Sequence, residues 1–460
     1  MKKIIFLLFL IISSQSYSQR NLKIESTESY ELGNIILALT KYGKEDPWDV
    51  QKIPPYYNKI LTYFKPFKNH PLLDSVNYSR KDWEKFLGFR TDFYAFSFDE
   101  NGKLKRNYPF NSFGPKEVDK NLDLINDFVK KSNYREFYTK HKKFYNELMS
   151  NYKEYYFINQ SFNFLDKIAP DTKFNNEKNY VIAISPLVGG QNCHRDIDSL
   201  TTVDFPNIGE DLILGKMNNN ISTRVIDNHS IFTEMDHGYV NPISEKYKEL
   251  ITKNFNYEKW DNKSGYTGIN SFNEYMTWAV YDIFIKENFP KENTDSISNI
   301  YWKQNASRGF VAQNLFSKKL IELYNRSKSK KLEDLYKPML KWSKKTENKI
   351  SQPKLLNSDT ENFITLKDNL VELSFSEPMQ KSKNIEIILI QFENGKQTRN
   401  QKNIRIEKPI WSKDGKKLSF NLKPEFKQYA IGFHIWNSLN GLYSQNGILL
   451  NQQSYILVKK

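Results

Sequence analysis

The chain has 460 residues, 39% of them hydrophobic, a formal net charge of +15 and one cysteine, Cys193. A single cysteine excludes an intramolecular disulfide framework, and about 440 mature residues bury enough apolar surface to fold without one. The basic excess would suit nucleic acid or an anionic envelope surface, but no nucleic-acid motif accompanies it. We therefore read the lysines as solvated helix faces, with no nucleic acid among the partners.

The first eighteen residues read as a secretory signal peptide. Lys2 and Lys3 give the positive region, Ile4 to Ile12 the apolar core, and Ser16 and Ser18 the small residues before a cleavage that leaves Gln19 first. That apolar run is too short to span a bilayer, and no later segment reaches the necessary length. No cysteine lies near the cleavage point, so no lipoprotein anchor is expected. The expected location is periplasmic or secreted, with no membrane span.

Residues 19–175 read as mainly helical. Pro54-Pro55 opens a segment with Ile60, Leu61 and Phe64 at helical spacing, and Val118–Lys131 and Tyr134–Tyr152 repeat apolar or aromatic residues every three to four positions. Thr91 to Phe98 reads as a strand leading into a turn at Asp99-Glu-Asn-Gly102. Residues 176–345 hold the candidate chemistry. Tyr180–Ser185 is a compact strand, followed by a turn at Pro186–Gly190. A helix is predicted from Asp227 or Asn228, loosened at Gly238 and stopped by Asn241-Pro242. Further helices are predicted over Ser271–Lys286, Gly309–Ser327 and Leu332–Lys344.

Residues 346–361, rich in Lys, Asn, Ser and Gln, read as a linker. Residues 362–460 then show short strands at Leu370–Phe375, Ile385–Phe392, Leu418–Leu422, Ala430–Ile435 and Ser454–Val458. Turn signals at Asn394-Gly395, Asp414-Gly415 and Asn440-Gly441 separate several of them. That spacing predicts a small β-sandwich. Phe375-Ser-Glu-Pro-Met379 resembles a strand-edge motif of bacterial immunoglobulin-like modules, which implies an accessory domain. The overall class is α+β.

The most informative run is Ile231-Phe-Thr-Glu-Met-Asp-His237-Gly-Tyr-Val-Asn-Pro242. In an H-E-x-x-H helix, two histidines one turn apart reach one metal, and the glutamate acts as general base. Here His237 holds the second position and Glu234 the base position, but Thr233 stands where the first histidine would be. A threonine hydroxyl is a poor ligand beside imidazole or carboxylate. A further ligand is required from another element, and Glu274, in Asn273-Glu274 on the next predicted helix, supplies a carboxylate there.

Three residues compete for the place of the missing ligand. His194 follows the central strand beside Cys193, although a loop histidine bonded to backbone explains it equally well. His229 lies two turns before His237, about 12 Å along the axis and too far to share an ion, and reads as a helix-start residue. Glu234 could itself ligate, since Glu-x-x-His is a known metal-binding pair on helices. Among the other conspicuous residues, Asp236 could orient His237 but reads better as surface. Tyr239 could serve an oxyanion or simply pack. Arg308-Gly309-Phe310 could hold a substrate carboxylate, or the arginine could form an internal ion pair. His70, His141 and His434 have no companions at ligand spacing. No Gly-rich phosphate loop and no nucleophile-elbow serine occur.

Taken in order, several segments resemble a secreted bacterial domain-of-unknown-function family with a zincin-like, gluzincin-type metallopeptidase pattern. They are Phe64-Lys-Pro-Phe-Lys-Asn-His70-Pro71, Ile184–Gly190, the Thr-Glu-x-x-His-x-x-Val-Asn-Pro run, Asn273-Glu274 and Arg308-Gly-Phe310. The resemblance covers most of residues 30–345. It implies a zincin-like core, Glu234 as catalytic base, His237 and Glu274 as zinc ligands and a zinc-activated water, with His194 the candidate for the remaining ligand. Members typically carry His-Glu-x-x-His, and Thr233 departs from that pattern. Two functions follow as expectations. One is a secreted zinc-dependent metallopeptidase-like hydrolase acting on a peptide or protein substrate. The other is a catalytically inactive pseudo-peptidase that binds a peptide or an envelope component.

Overall fold

The computed structural model describes residues 22–110, 116–172, 179–190, 192–198, 200–261, 263–358, 362–423, 426–435, 439–451 and 453–460. The signal-peptide reading of residues 1–18 lies outside them. The class is α+β, as expected. The chain forms two compact units, Met1–Tyr155 with Lys173–Met217, and Tyr156–Thr172 with Asn218–Lys460. The section read as 176–345 is thus divided at Met217. Among the described residues, no helix is long and apolar enough to cross a membrane.

The first unit holds a four-stranded sheet and a two-stranded one. Its strands are β1 (Leu22–Glu25), β2 (Phe96–Phe98), β3 (Leu104–Arg106), β4 (Asn179–Ala183), β5 (Cys193–Asp196) and β6 (Thr201–Phe205). The larger sheet runs β1-β4-β6-β5, with β1, β4 and β6 parallel and β5 antiparallel at the edge. β4 is an almost unbroken apolar run because both its faces are covered. The helix Glu28–Leu39 is buried along nearly its whole length and is capped by Thr27, whose side chain accepts from the Tyr30 N–H.

The strand expected over Thr91–Phe98 is mostly absent. A helix, Trp83–Asp92, and a 3-10 turn, Phe93–Ala95, occupy its first part, and only Phe96–Phe98 pairs with β3. Phe89, Phe93 and Phe96 pack on one another in the core, so aromatic burial decides the local structure over strand propensity. The Asp99–Gly102 turn is as read, closed by the Gly102 N–H donating to the Asp99 carbonyl at 3.0 Å.

Four helices of the second unit position the candidate site: Ile221–Lys246, Gly268–Asn288, Thr294–Ser307 and Gln313–Arg326. The first differs from expectation at both ends. It begins at Asn220, whose side chain accepts from the Thr223 N–H, and it continues through Gly238 and Pro242 to Lys246. An internal proline forfeits one helical hydrogen bond. Beyond it, however, Ile243 and Ser244 are buried, and the Ser244 hydroxyl lies 3.0 Å from that of Tyr336, so packing carries the helix on. The helix Gly268–Asn288 is buried from Ser271 to Ile285 and forms the centre of this unit. The helix Thr294–Ser307 was not predicted. Its buried face mixes Ile297, Ser298, Tyr301 and Asn305, which dilutes the apolar period.

The remaining strands are β7 (Ile364–Thr365), β8 (Leu370–Ser374), β9 (Glu386–Glu393), β10 (Lys396–Arg405), β11 (Ile410–Trp411), β12 (Lys417–Asn421), β13 (Gln428–Gly432) and β14 (Tyr455–Lys459). They form two sheets, β10-β9-β13-β14-β7 and β11-β12-β8. Leu373 and Phe420 from one sheet and Ile387, Ile431 and Val458 from the other belong to a single apolar cluster. Asn394-Gly395 makes a two-residue hairpin between β9 and β10, with φ of 50° and 73°, the positive values such a turn needs. Leu355, within the stretch read as linker, is buried in this cluster and bridges to Phe375.

Candidate functional site

Successive turns of the helix Ile221–Lys246 present Thr233 and His237 on one face, with Glu234 about a third of a turn away. The neighbouring helix supplies Glu274 and, one turn on, Trp278. His237 Nε2 lies 3.4 Å from Glu274 Oε1. The other carboxylate oxygen, Oε2, lies 3.7 Å from Nη2 of Arg308. Glu274 therefore stands between two cationic side chains, and it is almost fully buried.

Arg308 is held by the way its helix ends. It caps Thr294–Ser307 through its backbone N–H to the Asn305 and Gln304 carbonyls. Gly309 then takes a φ of 120°, a conformation glycine tolerates and side chains resist, and the Phe310 N–H closes back on the Asn305 carbonyl at 3.1 Å. A cation at a helix C-terminus is also favoured by the helix dipole. Arg308 Nη1 donates to Asn305 Oδ1 at 3.2 Å, and Asn305 donates in turn to Gln313 Oε1 at 2.8 Å. The guanidinium lies 5.1 Å from the Trp278 ring centre and 5.6 Å from that of Phe310. The internal ion pair weighed for Arg308 is the arrangement found.

The charges fit this geometry. Burial acts to push the His237 imidazole down. The hydrogen bond and charge of Glu274, helped by Glu234 and Asp236, outweigh it and bring the pKa up to about 9. The Glu274 charge first, and burial second, raise the Tyr266 phenol, which borders the site from the loop before this helix. Tyr266 had no sequence signal, since it sits in an aperiodic stretch between Gly265 and Gly268.

Thr233 is buried, and its hydroxyl donates to the Ser230 carbonyl at 3.1 Å, a bond within its own helix. Three neighbours read differently from their sequence. Asp236, expected at the surface, is fully buried, and neither carboxyl oxygen has a hydrogen-bond partner among the described residues. Burial raises its pKa well above the ordinary carboxyl range, opposed by the charge of His237. His229 is not a helix-start residue but lies mid-helix in the core. It stacks on Tyr301 at 3.7 Å and meets the edges of Trp278 and Tyr281, and burial, with the charge of Arg308, holds it well below its ordinary pKa. The Tyr239 hydroxyl donates to Asp166 Oδ1 at 2.5 Å, which occupies it structurally.

His194 belongs to the first unit. It lies on edge strand β5, paired with Asp204 of β6, and not in a loop. The resemblance implies a zinc ion, for which the second unit supplies His237 and Glu274 as adjacent donors. A catalytic zinc site uses three protein ligands. Among the described residues, no group of three or more His, Cys, Asp and Glu is placed to hold a metal. The Thr233 hydroxyl is bound to backbone and Arg308 stands against Glu274, which leaves His237 and Glu274 as the two donors brought together.

No family model matches the chain, and no curated protein matches it. Among solved structures, surface layer protein SbsC, domains 1-6, is similar over 52% of this chain and 33% of that one, at 13% identity and a TM-score of 0.18. The S-layer protein rSbsC(31-844) gives 55% and 39% coverage at 10% identity and a TM-score of 0.18. The N-terminal part of the bacterial S-layer protein SbsC gives 55% and 63% coverage at 10% identity and a TM-score of 0.17. The chain thus spans between 33% and 63% of those chains, and likeness at these TM-scores carries no argument.

Proposed function

We propose that this chain is an exported, non-hydrolytic peptide-binding protein built on a zincin-like scaffold, with an immunoglobulin-like β-sandwich as accessory domain. One observation carries the reading: Glu274 is neutralised by His237 and Arg308, side chains of the protein itself. A zinc-ligating imidazole must be unprotonated. The Glu274 carboxylate raises the pKa of His237, which favours a protonated ring whose proton a metal would have to displace. Glu234 then has no metal-bound water to activate. The Arg308 guanidinium over Trp278 and the Tyr266 phenol that it meets border the site, and both are groups that suit peptide carbonyls or a terminal carboxylate.

The second reading, a zinc-dependent hydrolase with Glu234 as base, is favoured by the proximity of His237 and Glu274 on neighbouring helices. It requires a third donor. Screening a peptide array against the mature protein, with and without chelator, separates the two. Binding that survives chelator and weakens at least tenfold in Arg308→Leu supports the first reading. Peptide cleavage, or binding abolished by chelator, contradicts it.

A further inference from the structure

In the first unit, the helices Tyr56–Tyr63 and Tyr134–Tyr155 leave a groove between them. It encloses about 480 Å³, a size typical of small-ligand sites. Pro55, Tyr63 and Phe137 supply its apolar wall, while Lys59, Lys140 and His141 stand along it. Past Pro55, Lys59 and His141, which line both spaces, it opens into a second hollow of about 250 Å³ against Phe144, Leu148 and Leu212. Behind that hollow, the Tyr56 hydroxyl is tied to buried Glu31 and lies 2.7 Å from the Tyr145 hydroxyl, so the back wall is fixed by hydrogen bonds.

The larger space is lined by cationic and neutral side chains, and Glu147 borders the smaller hollow. No carboxylate lines the larger space. Lys140 is paired with Glu136 on its own helix, but Lys59 has no ion-pair partner among the described residues. His141 donates from Nδ1 to the Phe137 carbonyl at 2.8 Å. Burial lowers its pKa, and the charges of Lys59 and Lys140 add to the effect, which keeps the ring neutral. The groove therefore offers one ammonium without an ion pair among the described residues, beside an apolar channel. One free positive charge matches a monoanion, and the aromatic wall matches a hydrocarbon body.

We propose that this groove binds a small amphiphilic carboxylate of the medium-chain fatty acid type, with its carboxylate on Lys59 and its chain along Tyr63 and Phe137. The site is independent of the peptide-binding reading and shares no residue with it.

Calorimetric titration of the mature full-length protein with decanoate, with decanol and decyltrimethylammonium as controls, tests the proposal. Decanoate should bind saturably at one site, decanol at least tenfold more weakly, and the cation not at all. Lys59→Gln should weaken decanoate about tenfold, the loss expected of one charge-assisted contact. Thr62→Trp, at an exposed position on the groove's edge, should fill the space and abolish binding. Absence of saturable decanoate binding, equal affinity for decanol, or binding unchanged in Lys59→Gln would overturn the proposal.

Discussion

His237 and Glu274 meet across two neighbouring helices, with Nε2 and Oε1 3.4 Å apart, and the second oxygen of Glu274 faces Arg308. The carboxylate is buried and its charge is matched by side chains. Removing any one of the three therefore leaves a buried charge without its partner, and the consequences differ for each.

The His237 imidazole should titrate near pH 9, observable by NMR of its ring carbons. Its folded pKa is raised above the unfolded value of about 6.5. The stability it contributes is thus fully present below about pH 6.5 and is lost as pH rises through about 9. The total is on the order of 3 kcal/mol. In His237→Gln, unfolding free energy should lose most of its slope between pH 7 and 9.

Glu274→Gln should destabilise the fold by about 3 kcal/mol, since it leaves the Arg308 guanidinium without its buried counter-charge. In the same variant the His237 pKa should fall, because burial is then opposed only by the charges of Glu234 and Asp236. Chemical denaturation and NMR titration read the two effects separately. A His237 pKa unchanged by this substitution would contradict the ion-pair geometry.

Asp236 makes the opposite prediction. It is buried, neither carboxyl oxygen has a hydrogen-bond partner among the described residues, and burial raises its pKa, which favours the protonated form in the folded protein. Its contribution is favourable below the unfolded value of about 3.9 and is lost as pH rises through the raised folded value. Asp236→Asn should stay within about 1 kcal/mol of the parent below about pH 4 and become relatively more stable as pH rises above it.

Thr233→Val removes a hydroxyl that bonds only within its own helix. It should change stability by less than about 1 kcal/mol and leave ligand binding intact. A large loss of binding would give the hydroxyl a direct role.

Much of this arrangement could be read from the chain. Helical spacing placed Thr233 and His237 on one face, and the run after Ser271 gave the partner helix that carries Glu274. Other features were hidden for physical reasons. Proline at 242 predicts a stop, but the burial of Ile243 and Ser244 outweighs one lost hydrogen bond. Asp236 reads as surface because its side chain diverges from that of adjacent His237 on the helix, and nothing local marks it as buried. Strand β10 escaped notice because it is an exposed edge strand of polar residues, with no apolar alternation to detect. Arg308 was visible as a candidate, but its pairing with Glu274 depends on a turn at Gly309 that brings distant segments together.

The most direct test of the central claim, that protein side chains and not a metal neutralise Glu274, is the zinc content of the mature protein purified without chelator. It should be measured beside His237→Ala and Glu274→Ala. The parent should hold no stoichiometric zinc, even after zinc is supplied, and should match both variants. One equivalent of zinc in the parent, lost in both variants, would contradict the claim and restore the hydrolase reading.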